Sequence, residues 1–69
     1  MVDTLKIKAL VVERGMTQTE VAKRLGMSNK VWFDRMSKKK FDSEEMYNLI
    51  HILNIGNPAE IFFADEVTK

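Results

Sequence analysis

The twenty residues from 17 to 36, "TQTEVAKRLGMSNKVWFDRM", decide the fold of this chain. Thr17 followed three positions later by Glu20 is the pattern of a capping box, which predicts that a helix starts here. Gly26 interrupts this helix because glycine permits a tight turn, and Ser28 is a typical N-cap for the next helix. The stretch therefore predicts two short helices that meet at a turn.

Two neighbouring aromatic residues, Trp32 and Phe33, stand inside the second of these helices, which we expect to run to about Ser37. Neighbours on a helix point about 100° apart, so one face cannot bury both rings. Met36 lies one turn after Trp32 and shares its side of the helix. Phe33 points toward the side that carries Lys30, so the two rings must have different surroundings.

Helices are also predicted before and after this stretch. Thr4 can start a first helix that ends before a left-handed glycine at position 15. Asp42 or Ser43 begins a fourth helix, which we expect to stop at Gly56. The buried stripes of these helices have helical spacing and consist of Ile7, Leu10 and Val11 in the first and Met46, Leu49, Ile50 and Leu53 in the fourth.

The segment "NPAE" predicts a fifth helix, with Asn57 as its cap and Pro58 in its first position. We expect this helix to bury Ile61 and only one of the adjacent Phe62 and Phe63. Nothing alternates with period two over a useful length, although "FFADEV" (residues 62–67) could add one short edge strand. The predicted fold class is all-α, with five helices.

Length and composition restrict the class of protein. A chain of 69 residues has room for one domain, which should be marginal alone and gain from self-association. It contains no cysteine, which excludes disulfides, thiolate catalysis and thiolate metal sites. No apolar run approaches the roughly 20 residues that span a bilayer, and no signal-like segment opens the chain. We expect a cytoplasmic protein.

The net charge of +1 conceals an uneven distribution along the chain. Residues 17–40 carry seven basic and two acidic side chains, whereas residues 41–69 carry one basic and six acidic ones. A solvated surface can scatter charges in this way. The coincidence of the basic region with the predicted helix pair favours a polyanionic partner instead.

The helix pair has an alanine in its fifth position and a glycine in its ninth, Ala22 and Gly26, and meets at "LGMS". A small residue is needed where the second helix crosses close over the first, and the glycine sets the crossing. Together with "ERGMTQTEVAKRLGMS" and "LIHILNIGNPAEIFF", these residues resemble the phage repressor and Cro (Xre-type) family of helix-turn-helix proteins, from about Leu5 to Phe63. The resemblance implies one compact, five-helix lambda-repressor-like domain over residues 1–69. Its helix-turn-helix would span about 17–37 and a short C-terminal tail 64–69.

The resemblance also answers which ring is buried. Trp32 stands where the family has a buried aliphatic residue, so we assign Trp32 and Met36 to the core and leave Phe33 outside. The chain departs from the family pattern at two neighbouring positions. Arg35 stands where the family often has a hydrophobic residue, and Met36 where it often has an acid.

By the same resemblance, the third helix enters the major groove of DNA and the second crosses the phosphate backbone. The residues implied to read bases are Ser28, Asn29, Lys30, Phe33 and Asp34. Those implied to contact phosphates are Gln18, Lys38, Lys39 and Lys40.

Several of these assignments have structural alternatives. Asn29 is suited to adenine, Lys30 to guanine and Phe33 to a thymine methyl group. Asn29 could instead be merely solvated, and Phe33 could lie against the loop before helix four. For Asp34, an ion pair with Lys30 or Lys38 is the favoured interpretation. The three lysines could form a solvated loop.

The resemblance implies a sequence-specific transcriptional regulator, a repressor of phage or mobile-element type, acting at the nucleoid as a homodimer. The dimer interface would use Phe62 or Phe63 with the tail, and also Leu5 and Val12 from the apolar line Leu5, Ala9 and Val12 of the first helix. Alternatively, the tail folds back and covers this line within one chain. The lone His51 lacks a second ligand or a nucleophile, so we expect no enzyme, no metal and no cofactor. The alternative is a helix-turn-helix module that binds a protein, such as an antirepressor or adaptor.

Overall fold

Six α-helices make up the part of the chain that the computed structural model describes, residues 1–67. Their bounds are α1 Thr4–Glu13, α2 Gln18–Arg24, α3 Asn29–Lys38, α4 Ser43–Leu53, α5 Pro58–Phe62 and α6 Ala64–Val67. The all-α fold class is confirmed, and residues 1–67 contain no strand.

The expected count of five helices was wrong. Residues 64–67 form α6 where an unstructured tail, or a short edge strand, was expected. The amide of Glu66 reaches back to the carbonyl of Phe63 at 3.0 Å, which closes a new helical turn. The last two residues of the predicted tail lie outside the described part.

Side-chain caps fix where four of these helices begin. The side chains of Asp3, Thr17, Ser28 and Asp42 each accept a hydrogen bond from the amide three residues later. The reciprocal capping box occurs at α4, where the Glu45 carboxylate also accepts from the amide of Asp42 at 2.9 Å. Such caps satisfy amides that the helix itself leaves unpaired.

Two of the predicted capping details differ in the structure. At α2 the Glu20 carboxylate lies 3.5 Å from Arg24 Nη2, one turn along the helix, and the half of the box made by Thr17 is formed. Asn57 occupies the N-cap position of α5 without a side-chain hydrogen bond, and Pro58 is at the start as expected. Both α2 and α5 therefore begin where the sequence predicted, although the hydrogen bonds at their N-termini differ from those expected.

Left-handed residues follow the first four helices. Gly15 and Gly26 have φ angles of +70° and +75°, as their predicted roles require. No atom lies within 4 Å of the place where a Cβ on Gly26 would stand, so glycine is needed here for its φ angle. The prediction that Gly56 stops α4 was wrong, because the helix ends at Leu53 and Asn54 takes the left-handed position with φ 51°.

Arg14 joins the end of α1 to the end of α4. Its Nε atom donates to the carbonyl of Leu53 at 2.7 Å, and Nη2 donates to the carbonyl of Asn54 at 3.2 Å. Both carbonyls belong to the last turn of α4, where a positive charge complements the helix dipole. This contact holds the α1–α2 corner against α4.

The core confirms the assignment of the two neighbouring rings. Trp32 is fully buried and Met36 nearly so, whereas Phe33 is 50% exposed. The indole packs against the buried ring of Phe41, with their centroids 5.8 Å apart. The other buried hydrophobic residues form one cluster with them and include Ile7, Val11, Val21, Ala22, Leu49, Leu53, Ile61 and Phe62.

The Cα radius of gyration is 11.2 Å, close to the roughly 11 Å expected of a folded chain of this length. Among residues 1–67, no helix has the length and apolar content needed to cross a bilayer. The longest of them, α4, has 11 residues.

Candidate nucleic-acid interface

The candidate site is built on the corner between α2 and α3. Residues 25–28 connect the two helices, and two backbone bonds close the corner: Gly26 N to Lys23 O at 3.0 Å and Met27 N to Ala22 O at 2.9 Å. Val21 and Ala22 are fully buried on the inner side of α2. Their burial and the turn together set where α3 starts.

The first turn of α3 carries two polar side chains that do not help to hold the described part of the chain together. Asn29 and Lys30 are exposed, and within residues 1–67 neither side chain makes a hydrogen bond or an ion pair. Phe33 follows one turn later and is half exposed. These three residues are therefore available to a partner.

Ser28 and Asp34, also predicted to read bases, are occupied within the chain. The Ser28 hydroxyl oxygen accepts from the amide of Val31 at 3.2 Å, so one of its two acceptor sites is already used in capping α3. The Asp34 carboxylate lies 3.4 Å from the Lys38 ammonium and 3.8 Å from the Arg35 guanidinium. The favoured alternative for Asp34, an ion pair one turn along the helix, is thus present.

Gln18, predicted to hold a phosphate, makes a contact that the sequence did not reveal. Its side-chain oxygen accepts a hydrogen bond from the indole nitrogen of Trp32 at 2.9 Å. The bond crosses from the first residue of α2 to the middle of α3, and Gln18 is half-buried. This contact is readily explained. A buried indole N–H normally finds an acceptor, and the half-buried Gln18 amide supplies one.

The three lysines at positions 38–40 are all exposed. Lys38 ends α3 and is paired with Asp34, whereas Lys39 and Lys40 form no ion pair within residues 1–67. Lys39 adopts the left-handed conformation, with φ 55°, and its carbonyl accepts from the amide of Val2 at 3.3 Å. The basic loop, defined as residues 38–40, therefore offers two uncommitted charges.

Glu45 on α4 contacts one residue before and one residue after this basic loop, a pair of contacts that the sequence analysis did not predict. Its carboxylate accepts from Arg35 Nε, at 3.1 and 3.2 Å, and from the amide of Asp42 at 2.9 Å. The hydrogen bond and charge of Glu45 raise the pKa of Arg35 above its usual value. The signal that could have revealed this pair was Arg35 itself, a charged residue in a position where a hydrophobic one was expected.

A comparison of the chain with protein-family models, with curated proteins and with solved structures found no significant match. The resemblance to the repressor and Cro family therefore rests on the quoted residues alone and remains a prediction.

The predicted dimer surface is only partly available. Leu5 and Val12 are 74% and 76% exposed, and Phe63 is 51% exposed. Phe62 is 4% exposed and belongs to the core, so of the two rings proposed for the interface only Phe63 is accessible to a partner. The geometric expectation that only one of the two rings points inward is confirmed.

An open groove of about 320 Å³ adjoins the exposed line on α1. Its walls include Ala9 and Leu10 from α1 and Ile61 from α5, with Lys6 and Glu60 also lining it. His51 on α4 is exposed and lies edge-on against Tyr47, with 4.6 Å between ring centroids.

Proposed function

We propose that this protein is a sequence-specific DNA-binding transcriptional regulator, a repressor of the Cro type, that reads the major groove with α3. The observation that carries the proposal is the first turn of α3, where Asn29 and Lys30 are exposed and free of any internal partner within residues 1–67. The same helix is anchored in the core through Trp32. A rigid helix with free polar groups at its N-terminal end has the form of a major-groove reader.

The chemistry of the exposed groups fits base edges. The amide of Asn29 can bond adenine at N6 and N7, and the ammonium of Lys30 can reach O6 and N7 of guanine. The half-exposed ring of Phe33 has an apolar face suited to the methyl group of thymine. Asp34 is a weaker candidate than the sequence suggested, because its carboxylate already pairs with Lys38.

Phosphate contacts would come from the basic loop and from α2. Lys39 and Lys40 carry charges that no acidic side chain in residues 1–67 neutralises. Lys38 can join them once a phosphate competes with Asp34. The amide of Gln18 keeps its NH₂ group free to donate, because only its oxygen is used by Trp32.

We infer that the protein binds its operator as a homodimer. A small domain that leaves Leu5, Val12 and Phe63 exposed has apolar surface for a second copy to cover. Two-fold symmetry would place the reading helices in successive major grooves. The half-sites of a near-palindromic operator would then be about 34 Å apart.

The decisive experiment is selection of bound duplexes from a random pool, followed by anisotropy titrations on the enriched sequence. A regulator should enrich one near-palindromic motif, and the change of Lys30 to alanine should weaken binding to that motif more than to random duplex. Arg24→Ala, on the exposed side of α2, is the matched control that removes one charge elsewhere. No enrichment from the pool, with no shift of any duplex at low salt, would exclude the proposal.

A second function, capture of a protein partner as an antirepressor or adaptor, is favoured by one observation. Phe33 is half exposed in the middle of the candidate reading face, and a large exposed ring is typical of protein interfaces. The same titrations separate the two functions. An adaptor would bind no duplex, and Phe33→Ala would abolish partner binding while leaving the fold intact.

A further inference from the structure

The hydrogen bond between Trp32 and Gln18 joins the two helices of the candidate interface. Trp32 Nε1 lies 2.9 Å from Gln18 Oε1, and the indole ring that supplies the donor is fully buried. The two residues are 14 positions apart in the chain. The bond therefore exists only because α2 and α3 pack together.

The chemistry of the indole determines how the Gln18 amide is oriented. An indole nitrogen carries a hydrogen and can only donate, so Gln18 must turn its oxygen toward the ring. The amide NH₂ group is then directed away from the indole. Its two hydrogens have no acceptor within residues 1–67.

We propose that Trp32 is a positioning residue for DNA binding, which holds the Gln18 amide so that its NH₂ group is presented to a phosphate oxygen. This inference rests on the proposed function and goes further, because it assigns a role in binding to a buried residue that never touches DNA. A glutamine that is already fixed has lost its rotamer freedom during folding and does not lose it again on binding. Trp32 also anchors α3 in the core. The phosphate contact of Gln18 and the position of α3 therefore both depend on this one side chain.

The competing explanation is that Gln18 merely satisfies a buried N–H group. Each explanation predicts a different dependence between the two residues. If Trp32 acts on DNA binding through Gln18, removing the indole N–H should have no further effect once Gln18 has been replaced. If Gln18 only satisfies the buried N–H group, Gln18→Ala should lower the stability of the protein and leave the operator affinity of the folded protein unchanged.

The test is a double-mutant cycle on operator affinity with Trp32→Phe, Gln18→Ala and the double variant. We expect Gln18→Ala to weaken binding about tenfold or more per subunit, as for loss of a hydrogen bond to a charged group. Trp32→Phe should weaken it about three- to tenfold, and the double variant should match Gln18→Ala. Circular dichroism and thermal melting establish that each variant is folded at the assay temperature.

Two further variants separate the effect of the hydrogen bond from the effect of replacing the indole ring with a smaller one. Gln18→Glu retains an acceptor for Trp32 but has no NH₂ group and adds a negative charge, so it should bind DNA no better than Gln18→Ala. A chain of 69 residues is accessible to chemical synthesis, which allows Trp32 to be replaced by benzothienylalanine. This analogue exchanges only the N–H for sulfur and should reproduce Trp32→Phe even if the phenylalanine variant does not fold.

Two readouts respond to the bond itself. The protein has one tryptophan, so its single indole N–H resonance should move toward the position of an indole without an acceptor in Gln18→Ala and remain that of a hydrogen-bonded indole in Gln18→Glu. A neutral amide releases no counterion, so Gln18→Ala should leave the salt dependence of binding unchanged, while Lys40→Ala should reduce it.

The outcomes distinguish this inference from the proposed function. If the folded wild-type protein binds no duplex, both are wrong. If it binds an operator but Gln18→Ala binds equally well, or if Trp32→Phe weakens binding as much in the Gln18→Ala background as alone, only this inference is wrong.

Discussion

Arg35 on α3 and Glu45 on α4 form an ion pair in which the guanidinium Nε atom lies 3.1 and 3.2 Å from the two carboxylate oxygens. One of those oxygens also accepts a hydrogen bond from the amide of Asp42, so a single side chain links the last turn of α3 to the start of α4. The Glu45 side chain is only 16% exposed, which separates this pair from the other ion pairs on the surface. The basic loop, residues 38–40, lies between Arg35 and Asp42, the two residues that Glu45 contacts.

We therefore predict that Arg35→Ala and Glu45→Ala each lower the melting temperature, and that the double variant loses less than the sum. The two single changes break the same ion pair, so the second change in the double variant has no further bond between these residues to break. Glu45→Ala should be the more harmful, because it also removes half of the capping box of α4. Arg24→Ala breaks an exposed pair at 3.5 Å and should change the melting temperature little. Additive losses would contradict the coupling.

Replacing Trp32 with alanine should cost about 3–5 kcal/mol of unfolding free energy, because a fully buried ring leaves a cavity. A small domain has about 5 kcal/mol or little more to lose, so the variant should be largely unfolded. Phe33→Ala removes a half-exposed ring and should cost about 1 kcal/mol or less. Urea titration followed by circular dichroism measures both, and a stable Trp32→Ala beside an unfolded Phe33→Ala would reverse the assignment.

Lys39→Gly should stabilise the protein by about 0.5–1 kcal/mol, because glycine removes the steric cost of the left-handed φ angle at this position. Lys40→Gly removes the same charge from a residue whose φ angle is not positive, and it should give no such gain. Both variants should lose DNA affinity to a similar extent. Thermal melts and anisotropy titrations on the same samples separate the two effects, and equal stability changes would contradict the backbone explanation.

Base contacts and phosphate contacts should respond differently to substitution. Lys39→Ala combined with Lys40→Ala should weaken binding to every duplex and flatten the salt dependence by about 0.9 for each phosphate that is no longer neutralised. Asn29→Ala or Lys30→Ala should cost about 1–3 kcal/mol on the operator at each symmetric contact and little on random DNA. Titrations of both duplexes at several salt concentrations measure the two effects. A uniform loss of affinity from all four substitutions would remove the distinction between reading and positioning.

Self-association should depend on the exposed apolar residues and not on Phe62. Phe63→Asp, or Leu5→Asp with Val12→Asp, should shift the protein toward the 8.0 kDa monomer in sedimentation at tens of micromolar. Tyr47→Asp, which alters an exposed ring elsewhere, is the control and should leave the dimer unchanged. A wild-type protein that sediments only as a monomer, with and without operator DNA, would contradict the dimer.

The sequence by itself determined the helices around the central corner and the side of α3 that is buried. Thr17, Ser28 and Asp42 cap their helices through bonds to amides three residues away, so the local pattern contains both partners. The burial of Trp32 and the exposure of Phe33 follow in the same way from the period of the helix, once one position is known to face inward. These features depend on separations of a few residues, which a sequence displays directly.

Only the tertiary structure decided the contacts between helices. Gln18 and Trp32 are 14 residues apart and Arg35 and Glu45 are 10 apart, and their side chains meet because of how the helices cross. Crossing geometry depends on the packing of the whole core, which no short pattern encodes. The same dependence placed Phe62 inside and Phe63 outside, since either ring fitted the local pattern and only the position of α5 against the core distinguished them.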